Sequence, residues 1–117
     1  MPQQVVLGSH NAHKLEELRV ILAPMLGDIS LIGYDGPEPV EDGLSFADNA
    51  LIKARAASAH TGLPAIADDS GITVSVLNGA PGIFSARWAG SKRGDQANRE
   101  LLLAQLSDIA DEHRAAT

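Results

Sequence analysis

The sequence predicts an α/β fold in which short buried strands alternate with helices, and three observations carry that prediction. Two apolar runs, Val5-Val6-Leu7 and Ala65-Ile66-Ala67, each stop abruptly at a polar cluster. Between them Leu15, Leu18, Leu22 and Met25 recur at helical spacing, and an Ala-rich stretch opens at Ser45-Phe46-Ala47-Asp48 with the capping-box pattern. The 117 residues suffice for one compact domain with a small core. Hydrophobic residues make up 44% but aromatics only 3%, so the core is expected to consist of Leu, Ile, Val and Ala, with helices packed closely.

Taken in order, Val5-Val6-Leu7 reads as a strand ending at Gly8, and Ser9-His10-Asn11 as a turn. Asn11 or Ser9 can cap the helix that follows, which Pro24 and Gly27 are expected to end. Ile29 to Ile32 is a candidate second strand. From Gly33 to Gly43 the chain is rich in Gly, Pro, Asp and Glu, a loop composition whose carboxylates are solvated or hold a cation. The Ala-rich helix runs through His60, with Gly62 and Pro64 beyond its end. Its stripe of Ala47, Ala50, Ala54 and Ala57, with Leu51 alongside, is expected to face a sheet, with Lys53 at the edge. Ala65-Ile66-Ala67 is a buried strand delivering Asp68-Asp69-Ser70-Gly71. Ile72 to Leu77 is expected as another strand, Asn78 to Gly82 as a turn, and Asp95 as the cap of a last helix carrying Leu101, Leu102 and Leu106. The tail from Asp108 to Thr117 is polar, with no closing strand expected.

Fifteen acidic against nine basic residues give a formal charge of −6, which repels a phosphodiester backbone and argues against nucleic acid as a partner. A small anion remains possible where a few cations, backbone amides or a divalent metal outweigh that charge locally. The absence of cysteine fits a reducing compartment. Met1-Pro2-Gln3-Gln4 lacks a basic leader, and no apolar run approaches the roughly 18 residues of a membrane span. The expectation is a cytoplasmic protein without a membrane partner.

In open α/β sheets ligands collect at the C-terminal ends of strands, where two polar clusters stand here. After the first strand, Ser9, Asn11, Lys14 and the helix's first amides could hold phosphate, although a capped helix with a solvated lysine accounts for the same residues. The adjacent carboxylates of Asp68 and Asp69 repel each other, a cost that Mg²⁺ or a shared proton would relieve; capping by Asp69 is the structural alternative. Glu41 could supply a second ligand if its loop folds back, or be merely solvated. Lys53 either reaches a ligand or snorkels to water. Arg87 and Trp88 place a cation near a ring, either to stack a base or to cover a core edge. His10, His13, His60 and His113 lack metal-ligand spacing.

Four segments together, Ser9 to Leu18, Phe46 to Ala54, Ala67 to Gly71 and Gly79 to Trp88, resemble in order and spacing the inosine/xanthosine triphosphate pyrophosphatase family. The resemblance implies a mixed sheet flanked by helices, a nucleotide cleft between two lobes and a homodimer. It implies Mg²⁺ held by Glu41 and Asp69, with Asp69 also the proton acceptor. Substrate would be bound by Ser9, His10, Asn11, Ala12, His13, Lys14 and Ser70, with Lys53 and Asp68 beside the phosphates. Water would attack the α-phosphorus and expel pyrophosphate, with Asp69, Asp68 or a metal-bound hydroxide as the base. Family members run well beyond Thr117, and their later part supplies a base-recognition motif, a further lysine and a Ser-His-Arg segment. Residues 1–117 are thus expected to be the N-terminal part of a single pyrophosphatase domain. The implied activity is the hydrolysis of inosine and xanthosine triphosphates, ribo and deoxy, to monophosphate and pyrophosphate. A module that binds nucleotide and metal without turnover is the alternative, and a purely structural domain a third reading.

Overall fold

The computed structural model describes residues 3–90 and 94–117, so Met1 and Pro2 of the N-terminal segment lie outside it. The chain forms two compact units, Met1–Asp69 and Ser70–Thr117.

The first unit is a parallel three-stranded sheet with two helices. Its elements are β1 (Gln4–Leu7), α1 (Ala12–Leu26), β2 (Ser30–Ile32), α2 (Phe46–Thr61) and β3 (Ala65–Ile66). The sheet order is β2-β1-β3. Gln4, Val5 and Val6 of β1 pair with Ser30, Leu31 and Ile32, while Val6 and Leu7 pair with Ala65 and Ile66. Central β1 reads as a continuous apolar run because parallel strands are covered on both faces, and Val6 and Leu7 are fully buried. β3 is less covered than its composition suggests: it is an edge strand among the described residues, and Ile66 is 39% exposed. The core gathers Val6, Tyr34 and Ala57, with Ile32, Leu63 and Ala65 against them.

α1 starts at Asn11, whose Oδ1 accepts from the amides of His13 (3.0 Å) and Lys14 (3.1 Å). Pro24 does not end it: the helix passes through to Leu26, with Gly27 at its C-cap. The carbonyl that a residue-24 amide would have bonded is that of Val20, which is exposed, so water can replace the lost bond. Leu15, Leu18 and Leu22 are half-buried as expected, but Leu26 rather than Met25 continues their line, and Met25 is exposed.

α2 begins at Ser45, whose Oγ accepts from the Asp48 amide at 3.1 Å, and ends at Gly62 in the left-handed region, both at the expected positions. Its contact face is rotated from the predicted alanine stripe. Asn49 and Ala57 are buried and Lys53 is half-buried, whereas Ala47 and Leu51 are exposed. The rotation follows from Gly8, at the end of β1. A Cβ there would lie 2.9 Å from the Lys53 carbonyl oxygen and 3.3 Å from Ala67 Cβ, so only glycine lets α2 settle onto the strand end at Lys53.

The second unit lacks the predicted strand over Ile72 to Leu77. Thr73 and Val74 form only isolated antiparallel bridges, to Pro81 and Ala116, and Ser75–Leu77 is a 3-10 turn. The cause is the left-handed Asn78 (φ 54°), followed by Gly79 (φ 90°), whose amide returns to the Val74 carbonyl at 3.0 Å. The polar tail pairs after all: Thr73 and Thr117 exchange backbone hydrogen bonds of 3.0 and 2.9 Å beside the Ala116 bridge. A second 3-10 segment spans Gly82–Arg87, and α3 spans Asp95–Gln105. Gly94, not Asp95, stands at the N-cap; Asp95 is the first helical residue, where its charge complements the helix dipole. Val74, Leu102 and Leu106 form the core, with Leu77, Trp88 and Ile109 packed on it, and Leu101 is partly exposed.

Buried Asn98 fastens α3 to the preceding segment, with Oδ1 accepting from the Ala89 amide (2.8 Å) and Nδ2 donating to the Ala86 carbonyl (3.0 Å). Asn98→Ala is expected to lower the unfolding free energy by about 1–3 kcal/mol. Exposed Gln96→Ala should stay within about 0.5 kcal/mol. Urea denaturation of both variants checks this.

Candidate active site

β1 and β3 are adjacent and parallel, so Gly8-Ser9 and Ala67-Asp68-Asp69 leave the sheet at the same edge. Asp68 and Asp69 are each paired with a different lysine. Lys14 Nζ, from α1, lies 3.0 Å from Asp68 Oδ1. Lys53 Nζ, from α2, lies 3.5 Å from Asp69 Oδ1 and 3.4 Å from Glu41 Oε1. The mutual repulsion anticipated for adjacent aspartates is therefore relieved by two lysines. Lys53 does not snorkel to water: its side chain and that of Asp69 are each only 16% exposed, a setting in which charge interactions are little screened.

Glu41 is carried back to the strand ends by its loop. The far end of that loop is held by Asn49, whose Oδ1 accepts from the Gly43 amide at 2.8 Å. Asn49 stands one helical turn before Lys53, so the residue that anchors the loop and the residue that meets Glu41 share one face of α2. Gly8, Ser9, His10, Tyr34, Glu41 and Lys53 are among the residues that line a cavity of about 160 Å³ beside these pairs.

The turn after β1 is tightly ordered. Ser9 Oγ accepts from the Asn11 amide at 3.1 Å, and the Asn11 cap takes the amides of His13 and Lys14. Cationic character at the turn therefore comes from the helix dipole and the Lys14 ammonium. Ala12 opens α1, and His13 is exposed. His10 Nε2 donates to the Gly36 carbonyl at 2.7 Å, and its Nδ1 lies 3.1 Å from Glu38 Oε1. Ser70 begins the second unit and is exposed. In that unit the guanidinium of Arg87 stands 5.2 Å over the Phe84 ring, whereas Trp88 Nε1 donates to Gln105 Oε1 at 2.8 Å. Of the two readings offered for this pair, Trp88 follows the one that covers a core edge, packing on the Val74, Leu102 and Leu106 cluster.

Two residues of this region carry no role in the sequence reading. Asn49 was signalled by being a poor helix former within an alanine-rich helix, and Tyr34 by being the chain's one tyrosine. Among the described residues no three or more His, Cys, Asp or Glu side chains form a metal cage. Magnesium does not require one, since it binds through one or two carboxylates plus water and phosphate oxygens, and Glu41 and Asp69, both beside the Lys53 ammonium, are carboxylates of that kind.

Fold and site define a parallel α/β unit whose strand ends gather a helix N-terminus, two lysines and three carboxylates. The model of the Ham1 family matches residues 5–117, and the chain belongs to that family. It is 58% identical over 113 residues to a dITP/XTP pyrophosphatase of Leifsonia xyli, covering 97% of this chain and 57% of that protein. A Streptomyces coelicolor protein of the same name is 57% identical, with 97% and 58% covered. Among solved structures, the Mycobacterium abscessus nucleoside-triphosphatase / dITP/XTP pyrophosphatase aligns with a TM-score of 0.77 at 49% identity, covering 97% of this chain and 61% of that one. The HAM1 protein of Coxiella burnetii gives 0.83 at 41%, with 97% and 58% covered. The chain thus spans somewhat over half the length of these relatives.

Lys53→Met keeps the side chain's bulk but leaves Glu41 and Asp69 facing each other. It is expected to cost about 1–3 kcal/mol of stability in thermal or urea unfolding. Combining it with Glu41→Gln should recover part of that loss, because one of the two like charges is gone.

Proposed function

We propose that this chain carries the phosphate- and metal-binding part of a magnesium-dependent pyrophosphatase that hydrolyses inosine and xanthosine triphosphates, ribo and deoxy, to monophosphate and pyrophosphate. Such an enzyme clears deaminated purines from the nucleotide pool. The observation that carries the reading is the meeting of Glu41 and Asp69 at Lys53, beside the Lys14–Asp68 pair at the start of α1. Membership of the Ham1 family and similarity to proteins named dITP/XTP pyrophosphatase support it.

In this reading Glu41 and Asp69 would hold magnesium, which when bound would neutralise charge on the phosphates. Lys14 and the α1 N-terminus bind the phosphate chain, together with the Ser9-to-Lys14 turn, and Ser70 contacts substrate. Lys53 balances negative charge beside the phosphates and holds the two carboxylates in register. Asp69 or Asp68 takes the proton from water as it attacks the α-phosphorus, and pyrophosphate leaves. Among the described residues no helix is long and apolar enough to cross a membrane. The same reading makes the protein a cytoplasmic homodimer, in keeping with a chain free of cysteine.

Pyrophosphate release from inosine, xanthosine, adenosine and guanosine triphosphates, with magnesium or chelator, tests the proposal. Magnesium-dependent release favouring the first two is expected, and no release from any of them assigns this chain to the reading that binds nucleotide and metal without turnover. Asp69→Asn should reduce turnover by about 100-fold or more while the protein stays folded. Lys14→Ala is expected to weaken triphosphate binding more than monophosphate binding in calorimetry; equal losses would remove Lys14 from the phosphate site.

A further inference from the structure

We propose that His10 is a positioning residue that ties the turn after β1 to the acidic loop and so holds Glu41 at Lys53. Its catalytic consequence rests on the pyrophosphatase reading; the tie itself does not.

His10 stands in the turn between β1 and α1, yet its imidazole is committed to the other segment. Nε2 meets the Gly36 carbonyl at 2.7 Å and Nδ1 the Glu38 carboxylate at 3.1 Å. A carbonyl and an ionised carboxylate both accept, so the ring makes both bonds together only with a proton on each nitrogen. The ring also lies 5.4 Å from that of buried Tyr34, which stands edge-on to His60 at 5.7 Å. Tyr34 Oη in turn donates to the Pro37 carbonyl at 2.6 Å. Gly36 is pressed against this cluster: a Cβ there would lie 2.6 Å from His60 Cδ2 and from the Tyr34 ring edge.

The loop from Tyr34 to Gly43 is thus fastened at two places. One is the His10–Tyr34 cluster on residues 36–38; the other is Asn49 on Gly43. Glu41 sits between them and reaches Lys53. Buried Asn49 is built into α2, whereas His10 is half-exposed and belongs to the phosphate-facing turn. Its ring can therefore pass the state of that turn to the loop. A geometry shared in this way places the phosphate-binding turn and one magnesium carboxylate in register before either ligand arrives.

The test compares the chain with His10→Ala and His10→Gln, the latter retaining one donor of similar reach. Hydrogen exchange of amides 36–43 is read by mass spectrometry, magnesium alone is titrated by calorimetry, and pyrophosphate release is resolved into kcat and KM. His10→Ala is expected to speed exchange in the loop by roughly tenfold, leaving β1 and α2 unchanged. Magnesium affinity and kcat should each fall by roughly tenfold, with the fall in kcat exceeding any rise in KM for inosine triphosphate. His10→Gln should restore part of the protection. Unchanged exchange at 36–43 overturns the proposal, as does a rise in KM at constant kcat, which would assign the ring to substrate. If the unsubstituted chain releases no pyrophosphate, it is a binding module without turnover, and exchange and magnesium binding still decide whether His10 holds the loop.

Discussion

The site depends on one close approach, that of α2 to the end of β1 at Gly8. The glycine admits the Lys53 backbone to a distance that a methyl group would forbid. From there the Lys53 side chain reaches the end of the neighbouring strand. Parallel pairing of β1 with β3 supplies the other requirement, since it puts Asp68 and Asp69 at the edge where Gly8 and Ser9 leave the sheet. Backbone pairing, a missing side chain and one ammonium thus determine where the charges meet.

The charges are partitioned rather than pooled. Asp68 and Asp69, adjacent in sequence, reach lysines on two different helices. Each carboxylate stands beside a cation, and Glu41 is drawn in by the less exposed of the two lysines. The acidic loop would otherwise be a run of solvated carboxylates. Its attachment to Asn49 and to the His10–Tyr34 cluster makes it part of the unit's framework.

What could be read from the sequence was what is decided locally. The run Val5-Val6-Leu7, the Asn11 cap and the Ser45 cap with Gly62 at the far end all signal through neighbouring residues, and β1, α1 and α2 lie where those signals put them. Two features misread were the contact face of α2 and the segment before Asn78. The contact face of α2 depends on Gly8, which nothing within the helix reveals: Ala57 of the alanine stripe is buried as expected, but the face is centred on Asn49, Lys53 and Ala57, leaving Ala47 and Leu51 exposed. Ile72 to Leu77 has strand-like composition, but the left-handed Asn78 winds it into a 3-10 turn. At the site, the lysines and aspartates were legible as residue types at strand ends, while their pairing was not. Asn49 and Tyr34 went unassigned because their value lies in holding a loop rather than in chemistry of their own.

The two lysine ties of β3 differ in their access to water. Lys14 and Asp68 are 26% and 49% exposed, whereas Lys53 and Asp69 are both 16% exposed. Dissolved ions screen the first pair far more than the second. Rising ionic strength therefore loosens the hold of α1 on the strand end while α2 keeps its own. The turn after β1 becomes the yielding side of the site, and the carboxylate pair at Lys53 the fixed one.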